Sequence, residues 1–446
     1  MRMTVIGTGY LGAVHAACMA DIGHEVLGVD VDLKKINALC QGRPPFYEPG
    51  FTDVLSRNVN AGRLSFTTSL VEAADFADVH FICVGTPQHP RSYATDLTHV
   101  NAVVDGLAPF LSREALVVGK STVPVGTASK IAGRLVELAP AGAGVDLVWN
   151  PEFLREGFAV QDTLRPDRIV VGAQTAGADE VMRTIYRPIL EAGTPYITMD
   201  LPTAEMVKVS ANAFLATKIS FINAIADVCD AAGADVVSLA TALGFDDRIG
   251  SRFLSAGLGF GGGCLPKDIR SLMARAKELG VDRSVAFLRD VDEINMRRRR
   301  RVVQMARELV GGSLRGRNVG VLGAAFKPDS DDVRDSPALY VAAAIKRQGA
   351  NVRVHDPAAL DNARAVCPEL DFVVDASKAC ERADVVLHLT EWREYRELDP
   401  AELARMVNQP RLIDARNALP VNDWRTAGWT VRALGRPSAS LNGPRI

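Results

Sequence analysis

The residues best suited to do chemistry form one loop, Gly259-Phe260-Gly261-Gly262-Gly263-Cys264-Leu265-Pro266-Lys267-Asp268. A run of glycines there ends on a single thiol, followed within a few residues by a lysine and a carboxylate. Glycine tolerates φ > 0 and lets the backbone come close to a ligand, which here would bring a substrate within bonding distance of the sulfur. A cysteine so held, near a lysine, has the setting of an accessible and partly ionised nucleophile. The competing reading is a small buried thiol in a tight turn, and a lone cysteine is more often that. The rest of the chain must supply the reason for a nucleophile.

The elements that would position this loop begin with a nucleotide site. Arg2 to Gly7 reads as a strand, Gly7-Thr8-Gly9-Tyr10-Leu11-Gly12 as a glycine fingerprint opening a helix, and His24 to Val29 as a second strand ending at Asp30. The glycines give a tight turn and close approach to a pyrophosphate, whose charge the helix N-terminus favours. Asp30 would accept from the adenosine ribose hydroxyls and repel a 2′-phosphate, which points to NAD rather than NADP. Further βα units follow. The strand of Asp78 to Val84 ends at Thr86, and that of Leu116 to Gly119 leads to Thr122. In an open parallel sheet the ligand lies beyond the strand carboxyl ends, so both threonines face the cofactor unless they serve only the turns. After a strand over Asp146 to Trp149, a helix starting near Asn150 would set Glu152 and Glu156 on one face. Two such carboxylates are more often simply solvated.

From Thr203, in N-cap position, to about Val228 the pattern is a long helix of roughly 40 Å. It carries Lys208 and Asn212 four residues apart and is long enough to link two lobes and offer a dimer surface. Helical segments continue to about Leu309. Arg297 to Arg301 would encircle a helix and read as a solvated surface with some subunit-interface ion pairs. After Gly311-Gly312 the pattern restarts with a strand (Asn318 to Gly323), a helix (Ser336 to Gln348) and a strand (Asn351 to His355) ending at Asp356. The turn Gly323-Ala324-Ala325-Phe326 is a degenerate fingerprint, followed by Lys327 and Arg334, cations that suit a second phosphate-bearing ligand. The tail after Gly435 has little apolar content and reads as loosely ordered. The fold class is therefore α/β, with two Rossmann-like doubly wound domains joined by a central long helix and a helical dimerisation region. The expected boundaries are 1–200, 201–312 and 313–446.

At 446 residues, with 48% hydrophobic and 23% charged residues, the chain reads as an ordinary globular protein of two or three domains. A formal net charge of −2 gives no field to recruit nucleic acid or an anionic membrane. Seven scattered cysteines with no Cys-x-x-Cys pair, and seven dispersed histidines, indicate neither a disulfide framework nor a metal site. No signal peptide and no run of ~18 to 20 apolar residues is read. Together these place the protein in the cytoplasm, with no membrane partner and no metal.

Taken together, Val84-Gly85-Thr86-Pro87, Ser121-Thr122-Val123-Pro124, Asn150-Pro151-Glu152-Phe153-Leu154, the glycine–cysteine loop, Phe326-Lys327 and Leu412-Ile413-Asp414-Ala415-Arg416 resemble the nucleotide-sugar 6-dehydrogenases of the UDP-glucose/GDP-mannose dehydrogenase family, most closely those acting on UDP-glucose. The resemblance covers nearly the whole chain and implies two successive NAD-dependent oxidations of a sugar CH₂OH to a carboxylate, through a thiohemiacetal and then a thioester on Cys264. It implies that Lys208 and Asn212 hold the reacting oxygen, that Asp268 orients water or takes a proton near the thiol, and that Glu152 with Thr122 activates water for hydrolysis. Implied cofactor contacts are Gly7, Gly9, Tyr10, Leu11, Gly12, Asp30, Lys35, Thr86, Thr122, Glu156, Gly263, Lys267 and Arg334. Implied substrate contacts are Glu152, Phe153, Leu154, Arg155 and Glu156, Lys208 and Asn212, then Phe253, Leu254, Ser255, Ala256 and Gly257, with Gly261, Lys327 and Arg416. Arg248 matches a residue donated by a neighbouring subunit, so a homodimer is expected. Two departures stand out: the loop Gln88 to Thr95 lacks a usual glycine, and Gly263 replaces a bulkier residue found in many relatives.

The alternatives are the same chemistry on GDP-mannose or a UDP-N-acetylhexosamine, a single-oxidation hydroxyacid dehydrogenase, and a silent NAD-sensing scaffold. The stretch Arg248-Ile249-Gly250 with Phe253-Leu254 favours UDP-glucose. A hydroxyacid dehydrogenase needs no nucleophilic cysteine, and a scaffold needs none of Lys208, Asn212, Cys264 and Asp268.

Overall fold

Alternating apolar strands and helices of the first two hundred residues build an eight-stranded sheet in the computed structural model, which describes residues 1–90 and 92–437. Its strands are β1 (Arg2–Ile6), β2 (Glu25–Val29), β3 (Leu64–Thr67), β4 (Val79–Ile82), β5 (Ala115–Gly119), β6 (Val145–Trp149), β7 (Ile169–Ala173) and β8 (Tyr196–Met199). The order is β3-β2-β1-β4-β5-β6-β7-β8. Pairing is parallel except between β6 and β7, where Val148 faces Ala173 and Trp149 faces Gly172. Strand order reverses between β1 and β4, so the Gly7 turn and the Cys83–Pro87 turn flank the crevice where doubly wound sheets bind ligands. Helices cover both faces, and β1, β4 and β5 read as near-continuous apolar runs because they are buried on both sides.

The second sheet is all parallel: β9 (Asn318–Leu322), β10 (Asn351–His355), β11 (Asp371–Phe372), β12 (Val385–His388), β13 (Arg411–Asp414) and β14 (Thr430–Ala433). Its order, β11-β10-β9-β12-β13-β14, repeats the first six strands of the other sheet. The restart read after Gly311-Gly312 is thus a second doubly wound unit. The described residues group into two units, 1–211 with 270–282, and 212–269 with 283–446.

The long helix spans Leu201–Ala232. It starts before Thr203, and the Asp200 carboxylate, not Thr203, caps it by accepting from the Thr203 N–H at 2.7 Å. By length and composition it is, among the described residues, the one helix long and apolar enough to cross a membrane, contrary to the expectation that no run approached this. Glu205, Lys208, Asn212, Ser220 and Asn223 are nevertheless buried along it, as in a core helix. No helix begins at Asn150: residues 150–157 run as loop and turn, and the next helix is Ala159–Leu164, so Glu152 and Glu156 do not share a helical face. The reading of the tail from residue 438 onward lies outside the described residues, as does Arg91 in the Gln88 to Thr95 loop, which closes as a small hairpin through a Gln88–Thr95 bridge.

Candidate active site

In the first unit, the fingerprint does what its glycines dictate. Gly7 has φ +92°, and a Cβ on Gly12 would stand 1.8 Å from the Gly7 carbonyl, so both positions require glycine for the turn itself. A Cβ on Gly9 would meet nothing within 4 Å. No side chain caps the helix Tyr10–Asp21 and no acid occupies its first turn, which leaves its N–H groups fitted to a diphosphate. Tyr10 and Leu11 open that helix, and the Tyr10 hydroxyl donates to Glu48. Asp30 at the end of β2 accepts from Thr8 N at 2.9 Å and from Lys35 Nζ at 2.8 Å. Burial pushes its carboxyl up, but the Lys35 contact and the N–H groups of Asp32 and Thr8 more than offset this and hold it below the ordinary range. These residues fit a dinucleotide.

At the ends of β4 and β5, the Thr86 hydroxyl donates to the Thr122 carbonyl at 2.7 Å, so the two threonines read from separate strands are brought together. Beyond β6, Glu152 accepts from Phe153 N (2.7 Å) and Leu154 N (2.9 Å) through Oε1, and pairs with Lys120 Nζ at 2.8 Å through Oε2. Burial raises its carboxyl, yet the Lys120 charge and hydrogen bond and the two N–H groups pull it further down. Phe153 lies between two cations, Arg168 at 4.1 Å and Lys208 Nζ at 5.4 Å from the ring centroid. The Arg155 guanidinium is taken up by Asp162 at 2.7 and 2.8 Å, and Glu156 sits half-buried in the turn before Gly157.

In the second unit, Cys264 is exposed and immediately precedes the helix Leu265–Glu278, where its carbonyl accepts the first helical bond, from Asp268 N at 2.9 Å. It is not the buried thiol of a tight turn. A helix N-terminus favours negative charge at a neighbouring sulfur. Asp268 is 1% exposed and ties two neighbours together, accepting from Asn212 Nδ2 and from Lys267 Nζ, each at 2.6 Å.

The glycines of the loop have another role than the one expected. A Cβ on Gly259 would lie 2.2 Å from Asn295 Oδ1, on Gly261 2.4 Å from the Asp335 carbonyl, on Gly262 2.8 Å from the Phe326 ring, and on Gly263 2.5 Å from the Arg334 guanidinium. The space left by the missing side chains is filled by the protein itself, by the helix that carries Asn295 and by the loop from Phe326 to Asp335, not kept for a sugar. The arginine run is corrected likewise. Arg297 and Arg300 are exposed, but Arg298 and Arg299 are buried. Arg298 pairs with Asp227 and donates to the Gly257 carbonyl; Arg299 pairs with Asp335 at 2.7 Å and donates to the Phe260 carbonyl at 3.0 Å. Asn295 brackets Phe260 through both its N–H and its carbonyl, and Asn223 accepts from Gly257 N.

Arg416 completes this scaffold: its three guanidinium nitrogens donate to the carbonyls of Leu389 (2.7 Å), Gly259 (2.9 Å) and Phe326 (3.1 Å). Leu254 and Ala256 are buried against Ile222 and Ala226, while Phe253 (φ +62°) and Ser255 are exposed. Lys327 lies beside the Phe326 ring, Arg334 pairs with Asp332, and Arg248 is exposed, paired with Asp246. Asp356, the counterpart of Asp30, accepts from Ala324 N, Ala325 N and Trp392 Nε1.

Sequence reading missed Lys120, Asn150, Asn223, Asn295, Arg298 and Arg299.

The chain matches three family models in succession: the NAD binding domain (residues 1–190), the central domain (202–297) and the UDP binding domain (320–421) of the UDP-glucose/GDP-mannose dehydrogenase family. It is 42% identical over 439 residues, 98% of its length and 100% of the relative's, to a UDP-glucose 6-dehydrogenase of Rhizobium meliloti. It is 40% identical over 445 residues (99% and 95%) to one of Bacillus subtilis. A solved UDP-glucose dehydrogenase of Pyrobaculum islandicum superposes with a TM-score of 0.88 at 38% identity, over 96% of this chain and 98% of that one.

Proposed function

The chain belongs to the UDP-glucose/GDP-mannose dehydrogenase family, and on that premise we propose that it oxidises UDP-glucose to UDP-glucuronate in two NAD-dependent steps joined covalently through Cys264. The observation that carries the covalent step is the exposed Cys264 at a helix N-terminus, beside a buried Asp268 that gathers Asn212 and Lys267. Bound NAD would supply the hydride acceptor for each oxidation. Lys208 and Asn212 hold the reacting oxygen and stabilise its developing negative charge. The first oxidation leaves an aldehyde, which carries no hydroxyl from which to start again. Addition of the Cys264 thiolate makes a thiohemiacetal, and its oxidation makes a thioester. Glu152, held as an anion, takes a proton from the water that releases the acid, a step that Thr122 assists. Asp268 fixes Asn212 and Lys267 rather than standing as a spare base.

In this reading residues 1–200 hold NAD, 313–446 hold UDP, with Lys327 as the cation best placed for phosphate, and 201–312 carry the thiol and the subunit contact. Phe214, Phe221 and Val228 recur every seventh residue of the long helix and are 69, 51 and 62% exposed, with Phe245 exposed nearby. Such an apolar stripe supports a second copy of the chain covering it, and Arg248, with 88% of its side chain exposed beside Asp246, stands at the surface that would meet that copy. No disulfide joins any cysteine among the described residues, which supports a reducing compartment such as the cytoplasm.

The test is purified protein with NAD and a panel of nucleotide sugars. Two NADH per UDP-glucose are expected; one per substrate refutes the thioester. Cys264→Ala should fold and bind NAD yet make almost no acid, and near-normal turnover would remove the thiol from the mechanism.

A further inference from the structure

The groups around Glu152 contain a cation that the reaction scheme leaves unused. Lys120 directly follows β5 and is 4% exposed. Its Nζ contacts Glu152 Oε2 at 2.8 Å and Asn150 Oδ1 at 3.1 Å. Asn150 is fixed in turn: its Oδ1 also accepts from the Tyr186 hydroxyl at 2.7 Å, and its Nδ2 donates to the Val170 carbonyl at 2.8 Å. The ammonium is thus held from behind and faces the carboxylate. Among the described residues, Glu152 makes its polar contacts with donors, namely Phe153 N, Leu154 N and Lys120 Nζ. Donors satisfy an ionised carboxylate, whereas a protonated one needs an acceptor. Burying a charge pair has no advantage over an apolar pair for stability alone, so the retained lysine calls for another role.

We propose that Lys120 is a positioning residue, whose ammonium keeps the Glu152 carboxylate anionic and oriented so that it can take the proton when water attacks the Cys264 thioester. The inference rests on the Glu152 role given above and deepens it. In that step the water oxygen bonds to the acyl carbon, and one water proton passes to Glu152. The C–S bond breaks with its electron pair going to sulfur. The products are a carboxylic acid and a thiolate; Lys120 keeps its own proton, and Glu152 returns its proton to solvent.

Among the described residues, no other group that acts on this carboxylate supplies that charge. The Cys83 thiol, at the end of β4, is pushed up to about 12 by burial, and the Tyr186 phenol likewise to about 12. From the helix Tyr10–Asp21, burial lowers His15 well below its usual range and raises the Cys18 thiol. All four are neutral near pH 7. Lys208 is directed over the Phe153 ring. Burial alone would lower Lys120 too, but the Glu152 carboxylate overrides it and holds the ammonium above its ordinary range.

The experiment separates the first hydride transfer from acid release by rapid quench, with the acyl-enzyme followed by intact-protein mass spectrometry across pH 5.5 to 9. In the unaltered protein, acid release should show no acid limb due to Glu152. In Lys120→Met the limb should appear near neutrality, with release falling about tenfold per pH unit below it. The acyl-enzyme should then accumulate while the first NADH is slowed less. Lys120→Arg, which keeps the charge, should restore a flat profile even if it is slower. A merely structural lysine would lower both steps together without moving the limb, and that result overturns the proposal. Should Lys120→Met fail to fold, the unaltered protein still decides: an acid limb in its acid release that Glu152→Gln removes shows that Glu152 is not held ionised. If Glu152→Gln releases acid at the parent rate, the Glu152 reading itself falls. If Glu152→Gln stalls at the acyl-enzyme while Lys120→Met keeps the parent profile, only the lysine's role is lost.

Discussion

Replacing Gly262 by alanine tests whether the thiol is positioned by the packing of its glycines. Gly262 has φ +81°, and its Cβ would come 2.8 Å from the Phe326 ring. The backbone cannot rotate away cheaply, because Gly262 N donates to the Arg334 carbonyl at 2.9 Å. A non-glycine residue in this left-handed region costs about 1–2 kcal/mol, and forcing a methyl group into a filled space costs about 1–3 kcal/mol more. The sum is about 2–5 kcal/mol. At roughly 2–4 °C per kcal/mol for a unit of this size, melting should fall by at least ~4 °C. If the loop shifts to relieve the contact, Cys264 moves with it, and a misplacement of ~1 Å costs on the order of 10²-fold in rate. Gly263→Ala is the internal control. Gly263 does not have a positive φ, and its Cβ would meet only the guanidinium of Arg334, the far end of a side chain 62% exposed and able to swing aside. It should cost less than ~1 kcal/mol of stability. Differential scanning calorimetry with stopped-flow NADH formation reads both quantities. Equal melting temperatures and equal rates for the two variants would refute the reasoning.

Asp30→Ala should weaken NAD binding and relax discrimination against NADP, read as the ratio of KM values for the two cofactors; an unchanged ratio removes Asp30 from the ribose site. Arg299→Met removes the buried arm that holds Asp335 and the Phe260 carbonyl, which still accepts from Asn295, and should cost about 1–3 kcal/mol; a melting temperature equal to the parent's would show that the strut is dispensable. Asp414 couples the second unit to acid. Burial pushes its carboxyl up, but His388 at 2.8 Å and the N–H groups of Leu419 and Arg416 hold it below the ordinary range. A carboxyl lowered on folding contributes stability above its unfolded pKa of about 3.9, and that contribution is lost as pH falls through the folded value. Melting should therefore drop below about pH 4, with a shallower drop in Asp414→Asn; parallel curves would refute the assignment.

What was legible in the chain was local. The fingerprint from Gly7 to Gly12, Asp30 at a strand end and the restart near Asn318 each depend on neighbours in sequence, so residue type and spacing suffice for them. The motifs in order also disclosed the family, because glycine turns and a thiol loop constrain residue identity by covalent geometry and chemistry rather than by packing.

What only the tertiary structure decided are the partnerships across distance. Arg298 and Arg299 look like any charged helix surface until their helix is laid against the Gly257 and Phe260 carbonyls. Lys120 is one residue in an apolar strand sequence until β5 and β6 lie side by side and bring Glu152 within 2.8 Å. The glycines before Cys264 announced a close approach, but not to what: Phe326, Asp335 and Arg334 fill the gaps from about seventy positions away along the chain. A side chain's chemistry is written in its residue type, while its charge state and its aim depend on what folding packs against it.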